Sequence, residues 1–263
     1  MKFLTVNGVT LHYRQDGLPD GVPLVFINSL GCDLRSWDGV VSRLNHRLIR
    51  FDKRGHGLSD APPAPYSMHD LAADVDSLLD QLNIESAILI GLSVGGMIAL
   101  QTALDFPNRV RALVLCDTAA KIGTEDSWND RIHALRQHGM DYLADAILAR
   151  WFAPQFIEQN PAVYRGFYNL LTRMPLEGYI GTCAALRDTD LRDRVGEIHV
   201  PTLVLCGAQD VVITPDMARE FADSLPNVRF RVVEGAAHIP SVEQPEFLAA
   251  AIAEFLKEIA YVG

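Results

Sequence analysis

Six short apolar runs recur along the chain, and they constrain its fold more than any other sequence feature. These runs are LVFIN (24–28), LIRFD (48–52), AILIGL (87–92), ALVLCD (112–117), TLVLCG (202–207) and FRVVEG (230–235). Most of them do not alternate apolar with polar residues, which is typical of strands buried on both faces of a parallel sheet. Segments with helical spacing lie between them, and the segment 68–82 carries an apolar stripe. The chain is therefore predicted to be an α/β protein, with a mostly parallel central sheet and helices on both faces.

Two segments depart from this alternation of strand and helix. Near the N-terminus, Asn7 and Gly8 separate two β-rich runs, and this pair predicts an antiparallel hairpin. After Asp117 no strand-like run appears before Thr202, and the pattern of residues 119–197 is helical. We therefore predict an α/β core formed by residues 1–118 and 198–263, with residues 119–197 inserted between two late strands as a helical cap over the sheet.

The composition argues against several classes of protein. The chain has 263 residues, of which 49% are hydrophobic, and this allows one sizeable core. A formal net charge of −10 argues against binding to nucleic acid or to an anionic membrane surface. No apolar run reaches the roughly 18 residues of a transmembrane helix, and the N-terminus lacks an apolar stretch of signal-peptide length. We therefore expect neither a nucleic-acid nor a membrane partner.

The cysteines and histidines show no spacing that is typical of a metal site. The four cysteines lie far apart, and Cys116 and Cys206 fall inside predicted strands, where they are expected to be small buried residues. The histidines form no HExxH motif or paired ligand spacing, so no metal is expected. Free thiols suit a reducing compartment, and we expect a cytoplasmic protein. The sequence does not indicate an oligomeric state.

The segment AILIGLSVGGMIALQ (87–101) places a serine where a buried strand meets a helix. Gly91, Ser93 and Gly95 fit the pattern G-x-S-x-G, in which a strained strand-to-helix turn exposes the serine hydroxyl as a nucleophile. The alternative is a tight turn that happens to contain serine. Such a turn would not need a buried strand before it, an apolar helix after it and the additional Gly96. We therefore interpret Ser93 as a candidate nucleophile.

A serine nucleophile needs a base, and the base needs an acid that orients it. Asp210 lies just after the run TLVLCG, and His238 lies just after the run FRVVEG. Both are therefore expected at the same sheet edge as Ser93, where open α/β sheets keep their sites. Taken singly, Asp210 could be a helix cap and His238 an ordinary loop residue, but their order favours a catalytic triad. Asp117 also follows a strand and is the weaker candidate for the acid. His56 lies in a glycine-rich loop, and a structural role is expected for it.

Acyl transfer from such a serine also needs donors for the oxyanion of the tetrahedral intermediate. One expected donor is the backbone N–H of Val94, directly after the nucleophile. The other is expected from the loop NSLGCDLRSW (28–37), where Leu30 is the candidate. Only the main chain of Leu30 would matter, so its side chain can be apolar.

These motifs resemble the α/β-hydrolase fold superfamily over nearly the full chain, and RGHGLSD (54–60) resembles a loop common in that superfamily. A closer resemblance is to the 3-oxoadipate enol-lactonases of bacterial aromatic catabolism. It is carried by NSLGCDLRSWD (28–38), GLSVGGMIAL (91–100), LCDTAAKIGTEDSWNDRI (115–132), ARWFAPQF (149–156) and GYIGTCAALRDTDLRD (178–193). The cap stretches are the most informative, because caps set substrate choice whereas the serine turn is shared by many chemistries.

The resemblance implies a carboxylic-ester hydrolase that opens 3-oxoadipate enol-lactone to 3-oxoadipate without a metal or cofactor. Ser93 would attack the lactone carbonyl, His238 would act as general base, and Asp210 would hold the imidazole. The implied substrate is a small anionic lactone, so the cap should offer it a cation, and arginine suits a carboxylate.

Three cap residues are candidates for lining the pocket, namely Trp128, Arg131 and Trp151. The alternative for both tryptophans is that they pack the cap onto the sheet. Other functions on the same scaffold also stay open at this point. They are a general carboxylesterase, a carbon–carbon bond hydrolase and a ligand-sensing receptor, because the serine turn and the triad do not separate these.

Overall fold

The structure is a computed structural model that describes residues 1–260. Its strands are β1 (Lys2–Val6), β2 (Val9–Gly17), β3 (Leu24–Ile27), β4 (Arg47–Phe51), β5 (Ala87–Leu92), β6 (Val110–Cys116), β7 (Thr202–Gly207) and β8 (Val228–Val233). They form one eight-stranded sheet with the order β1-β2-β4-β3-β5-β6-β7-β8. The strands β1, β2 and β4 pair antiparallel, and all other neighbours pair parallel. The predicted mostly parallel sheet is therefore confirmed.

The antiparallel start of the sheet is the predicted hairpin. Val6 pairs with Val9, and the two residues between them both have positive φ, 48° at Asn7 and 77° at Gly8. A two-residue turn with both φ positive follows the twist of the flanking strands, and Asn-Gly adopts it readily. The Asn-Gly pair therefore fixes the register of the first two strands.

Helices separate most of these strands along the chain and follow the last one. In chain order they are α1 (Asp38–Val41), α2 (Met68–Gln81), α3 (Val94–Asp105), α4 (Glu125–His138), α5 (Asp141–Trp151), α6 (Pro154–Gln159), α7 (Pro161–Thr172), α8 (Leu176–Asp188), α9 (Pro215–Asp223), α10 (Pro240–Glu243) and α11 (Pro245–Ala260). Short 3₁₀ helices lie at Leu34–Trp37, Pro107–Arg109 and Val195–Glu197. Every residue of β3, β5 and β7 is buried, as expected for strands with helices on both faces.

Five of the helices, α4 to α8, lie between β6 and β7 in the segment that the sequence predicts to be a cap. Local sequence signals divide the segment: Gly139, with a φ of 76°, follows α4, and Pro154 and Pro161 begin α6 and α7. Helix α4 packs on α8, and α5 packs on α7. The segment is therefore a helical layer, while its limits at residues 119 and 197 as a separate unit stay a prediction.

The topology brings four candidate residues to one edge of the sheet. Ser93, Asp117, Asp210 and His238 follow β5, β6, β7 and β8, respectively. These four strands are consecutive neighbours and run parallel, so their carboxyl ends lie side by side. A site at this edge is the arrangement that open α/β sheets favour.

Candidate active site

Ser93 occupies a strained turn between β5 and α3. Its φ is 56° and its ψ is −118°, a conformation that costs energy for any residue with a side chain. Close packing makes the turn possible: a Cβ at Gly91 would lie 2.2 Å from the Gly95 carbonyl oxygen, and one at Gly95 would lie 2.2 Å from the Ile27 carbonyl oxygen. A side chain at either glycine of the motif would clash with backbone atoms, so both positions require glycine. Together these glycines allow Ser93 to occupy the turn at the start of α3.

A chain of hydrogen bonds links the three residues that the sequence singles out. The Oγ of Ser93 lies 3.0 Å from Nε2 of His238, and Nδ1 of His238 lies 2.7 Å from Oδ2 of Asp210. All three side chains are buried. The other oxygen of Asp210, Oδ1, accepts the N–H of Val212 at 2.7 Å, which fixes the carboxylate. The structure therefore brings the predicted nucleophile, base and acid into the order that a triad requires.

The predicted oxyanion donors belong to the residue after Ser93 and to a residue of the pocket that contains Ser93. Val94 is the first residue of α3, where backbone N–H groups have no acceptor within the helix. Leu30 belongs to the loop that follows β3, and it lines the same pocket as Ser93 and His238. Both N–H groups are thus available near Ser93, and their role as donors stays a prediction.

Two buried basic side chains hold the loop that contains Leu30. Nζ of Lys53 donates to the Ser29 carbonyl at 2.7 Å, and Nε2 of His56 accepts the N–H of Gly31 at 3.0 Å. Burial lowers the pKa of Lys53 to about 7. Burial, together with the nearby Lys53, keeps the pKa of His56 well below its usual range, so His56 is a neutral acceptor. These contacts agree with the structural role that the sequence suggests for His56.

A pocket of about 200 Å³ opens at Ser93 and His238, between the sheet edge and the helical layer. Trp128, Arg131 and Trp151, the three pocket residues expected from the sequence, all line it. The indole N–H of Trp128 donates to the Ile122 carbonyl at 2.7 Å. The Arg131 guanidinium lies 4.9 Å from the centre of the Trp128 ring, which holds this cation at the pocket wall.

Both tryptophans also pack the helical layer, so the two interpretations of the sequence are compatible. Trp128 is 7% exposed and Trp151 is 5% exposed, and both belong to the hydrophobic core. The carbonyl of Trp151 accepts the backbone N–H of His238 at 3.1 Å. This hydrogen bond joins the end of α5 to the loop that contains His238.

The sequence did not single out two further pocket residues, Arg150 and Tyr179. Partial burial and the neighbouring Arg131 lower the pKa of Arg150. Tyr179 is fully buried, and its hydroxyl has no hydrogen-bond partner among residues 1–260. Both residues lie in stretches that resemble the enol-lactonases, and Arg150 also directly precedes Trp151, but the sequence carried no further signal for either.

A second cleft, of about 720 Å³, lies between α7 and the N-terminal strands, and neither Ser93 nor His238 lines it. The smaller pocket is the candidate site because it contains the reactive groups, and volume alone does not define a site.

Asp117, Asp210 and His238 present potential ligand atoms within 4.8 Å of one another. Both ring nitrogens of His238 are already engaged, one by Asp210 and the other by Ser93. We therefore assign no metal ligands in this cluster.

The fold and the site define a class of protein, and comparison with known families agrees with it. The model of the alpha/beta hydrolase fold family matches residues 22–245, and the chain belongs to this family. The expectation of an enzyme of the carboxylic-ester hydrolase class is confirmed by the relatives of the chain.

Among these relatives, 3-oxoadipate enol-lactonase 2 of Acinetobacter baylyi is 36% identical over 97% of this chain and 96% of its own length. The crystal structure of the enol-lactonase from Burkholderia xenovorans LB400 superposes with a TM-score of 0.94, at 37% identity over 97% of this chain and 100% of that chain. A thermophilic esterase from Thermogutta terrifontis has a TM-score of 0.93 at 26% identity, and the match covers 98% of this chain and 99% of that chain. The resemblance drawn from the sequence motifs is confirmed.

Within the described part of the chain, no helix combines the length and the apolar character that a bilayer-crossing segment needs.

Proposed function

We propose that this protein hydrolyses 3-oxoadipate enol-lactone to 3-oxoadipate in bacterial aromatic catabolism, with Ser93, His238 and Asp210 as its catalytic triad. The observation that carries the proposal is the chain of hydrogen bonds from Ser93 through His238 to Asp210. Ser93 and His238 line a small pocket that has arginines in its wall. The similarity to enol-lactonases over nearly the full chain supports this substrate over other esters.

In the first half of the reaction, His238 takes the proton of Ser93 while Oγ attacks the lactone carbonyl. Asp210 holds the imidazole through Nδ1 and stabilises the imidazolium that forms. The N–H groups of Leu30 and Val94 stabilise the oxyanion of the tetrahedral intermediate. Collapse of this intermediate breaks the ring C–O bond and releases an enolate, which takes the proton from the His238 imidazolium and becomes the ketone, so that His238 is neutral again. Since an enolate is a good leaving group, this step needs little acid assistance.

In the second half, His238 activates a water molecule, which attacks the acyl-serine. The proton returns to Ser93, and the product leaves with a second carboxylate group. All of these steps are performed by side chains and backbone amides of this chain, and the proposed reaction needs no metal or cofactor.

The substrate carboxylate requires a cation, and the pocket offers two. Arg131 and Arg150 both line the pocket, and the Trp128 ring holds Arg131 at the wall. An arginine fork fits a carboxylate with two parallel hydrogen bonds. A carboxylate between the two guanidinium groups would also relieve their mutual repulsion, which contributes to the lowered pKa of Arg150.

The proposal is tested by steady-state hydrolysis of 3-oxoadipate enol-lactone and, in parallel, of the neutral ester p-nitrophenyl acetate. We expect kcat/KM for the lactone of about 10⁴ M⁻¹s⁻¹ or more. Ser93→Ala and His238→Ala should each reduce kcat by at least about a thousandfold with the fold retained. Slow cleavage of the neutral ester alone would overturn the lactonase assignment in favour of a general esterase.

The chain offers a matched control for the histidine variant. His69 forms a comparable pair with Asp105 at 2.8 Å, but its side chain is 65% exposed and lies on α2. His69→Ala should keep the wild-type rate on both substrates. If neither substrate turns over while the lactone still binds, the ligand-sensing receptor replaces the proposed enzyme.

A further inference from the structure

Asp117 is a buried carboxyl group for which the proposed reaction has no use. It directly follows β6, which lies between the serine strand β5 and the acid strand β7. The side chain is fully buried, and the backbone has a φ of 47°, an unusual value for a residue other than glycine. A buried acid held in a strained turn beside a catalytic site is expected to have a specific task.

The two oxygens of Asp117 have different environments. Oδ1 accepts the N–H of Gly207 at 2.7 Å, whereas Oδ2 has no hydrogen-bond partner among the described residues. Potential ligand atoms of Asp117, Asp210 and His238 all lie within 4.8 Å of one another. Two carboxyl groups this close inside a protein cannot both be ionised without a large cost, but a single proton shared between them forms a hydrogen bond.

The groups around Asp117 decide which carboxyl keeps the proton. Facing it are Asp210 after β7, Glu243 on α10 and His238 after β8, together with the thiols of Cys116 on β6 and Cys206 on β7. Burial and the negative charge of Asp210 raise the pKa of Asp117 well above its usual range, although the Gly207 N–H acts in the opposite direction.

Asp210 is better placed to carry the negative charge of the pair. Each of its oxygens accepts a hydrogen bond, from Val212 N–H and from His238 Nδ1, and the histidine becomes cationic during the reaction. Asp117 has a single donor for its two oxygens.

We propose that Asp117 is a protonated carboxylic acid whose O–H donates a hydrogen bond to the carboxylate of Asp210. Asp117 is thus a positioning residue, which holds the Asp210 carboxylate in the plane that His238 requires. The inference rests on the proposed function, because it takes Asp210 to be the acid that orients the catalytic histidine. It adds that the carboxylate that orients His238 is itself held in place by a second, protonated carboxyl group that does not contact His238 through a hydrogen bond.

Asp117→Asn separates this proposal from an ionised Asp117. Asparagine has no charge, its carbonyl can accept the Gly207 N–H, its amide can donate to Asp210, and it tolerates a positive φ. We expect kcat/KM for p-nitrophenyl acetate to stay within about threefold of the wild type, with the acid limb of its pH profile unmoved. A shift of that limb to lower pH would overturn the proposal, because it would mean that the substitution removed a negative charge beside His238.

Asp117→Ala removes the donor and should lower kcat about tenfold or more with little change in KM. Thermal unfolding of both variants accompanies the assays. If the alanine variant does not fold, the asparagine variant alone decides the question. An alanine variant that folds and has wild-type kcat would overturn the positioning role.

A spectroscopic measurement tests the proton itself and does not depend on turnover. The infrared difference spectrum of the wild type minus Asp117→Asn at pH 7 should contain the C=O stretch of a protonated carboxylic acid. A difference that contains only carboxylate bands would overturn the proposal. If the proposed function is wrong, Ser93→Ala will retain activity. The infrared band of the protonated carboxylic acid would still be present in that case.

Discussion

His56 stabilises the loop that contains Leu30, and it does so as a neutral acceptor. Its Nε2 accepts the N–H of Gly31, and its Nδ1 lies 3.2 Å from the Arg54 carbonyl, so the proton is on Nδ1. Gly31 directly follows Leu30, whose N–H is a proposed oxyanion donor. A change at His56 therefore acts on the proposed chemistry through the backbone, without contact to the substrate.

We predict that His56→Ala lowers kcat by about tenfold to a hundredfold, less than the removal of an oxyanion donor itself. The unpaired Gly31 N–H lets the loop relax, while KM changes little because the pocket cations are untouched. His56→Gln, whose side-chain oxygen can accept the same N–H, should recover part of the loss. Steady-state kinetics with p-nitrophenyl acetate measure both variants, and a wild-type kcat in His56→Ala would contradict the role.

The residues of the candidate site differ in how far their placement could be predicted from the sequence. Ser93, Asp210 and His238 each lie in the loop or turn that follows a strand, in a fixed order, so pattern and topology suffice to place them at one edge. Tyr179 and Arg150 enter the pocket through the packing of α8 and α5, and no periodic pattern encodes that contact. Their placement depends on the tertiary structure of the helical layer.

At the scale of elements, Glu243 joins the helical layer to the loop that contains His238. Its two carboxyl oxygens accept the N–H groups of Ala153, which follows α5, and of Ala237, which precedes His238, each at 2.8 Å. Burial raises the pKa of Glu243 to about 7, although these N–H groups act in the opposite direction. The loop, the helical layer and α10 are therefore coupled by one buried carboxyl group.

This coupling predicts a specific pH dependence of stability. A carboxyl whose pKa is raised to about 7 in the folded state, from 4.5, stabilises the fold fully below about 4.5, and this contribution is lost as the pH rises to about 7. Glu243→Gln cannot accept both N–H groups, so we expect it to be less stable than the wild type by about 1–3 kcal/mol at pH 5. The difference should narrow by pH 8, since only the wild type titrates.

Urea unfolding at pH 5 and pH 8 measures this difference. Glu220→Gln, at an exposed position of α9, is the control and should match the wild type at both pH values. A difference between wild type and Glu243→Gln that stays constant or widens from pH 5 to pH 8 would show that Glu243 is ionised throughout and would contradict the prediction.

The six strands β3 to β8 were predicted within two residues because each carries a short apolar run, which burial on both faces explains for β3, β5 and β7. The helical layer could be predicted only as helical. Its internal ends depend on Gly139, Pro154 and Pro161, and the sequence does not indicate which of these residues end a helix and which only bend the chain.

At the scale of the whole molecule, the charge of the protein opposes the substrate that we propose. The formal net charge is −10, while the pocket presents Arg131 and Arg150. The electrostatic effect of the net charge and that of the two pocket arginines have different ranges. Diffuse charge acts over the Debye length, which is about 30 Å at 0.01 M salt and about 10 Å at 0.1 M, whereas contact with a partly buried arginine is screened much less.

We therefore predict that kcat/KM for the anionic lactone rises about two- to fivefold as the salt concentration increases from about 0.01 M to about 0.1 M. Salt screens the repulsion by the whole molecule before it weakens the contact with the arginines. The neutral ester p-nitrophenyl acetate should show no such rise. A fall in kcat/KM with salt would mean that the pocket arginines, and not the net charge, govern the approach of the substrate.

Arg131→Gln separates the effect of a pocket arginine on the substrate from the effect of the net charge of the whole molecule. It should lower kcat/KM for the lactone about tenfold or more at every salt concentration, because a charge-assisted hydrogen bond is lost, and it should leave the neutral ester nearly unaffected. The rise with salt should persist, since the net charge becomes slightly more negative.

Arg136→Gln, at an exposed position of the same helix α4, removes the same charge outside the pocket and should keep the wild-type kcat/KM to within about twofold. Equal losses in the two variants would show that Arg131 acts only through total charge, and the carboxylate would then have to bind elsewhere in the pocket.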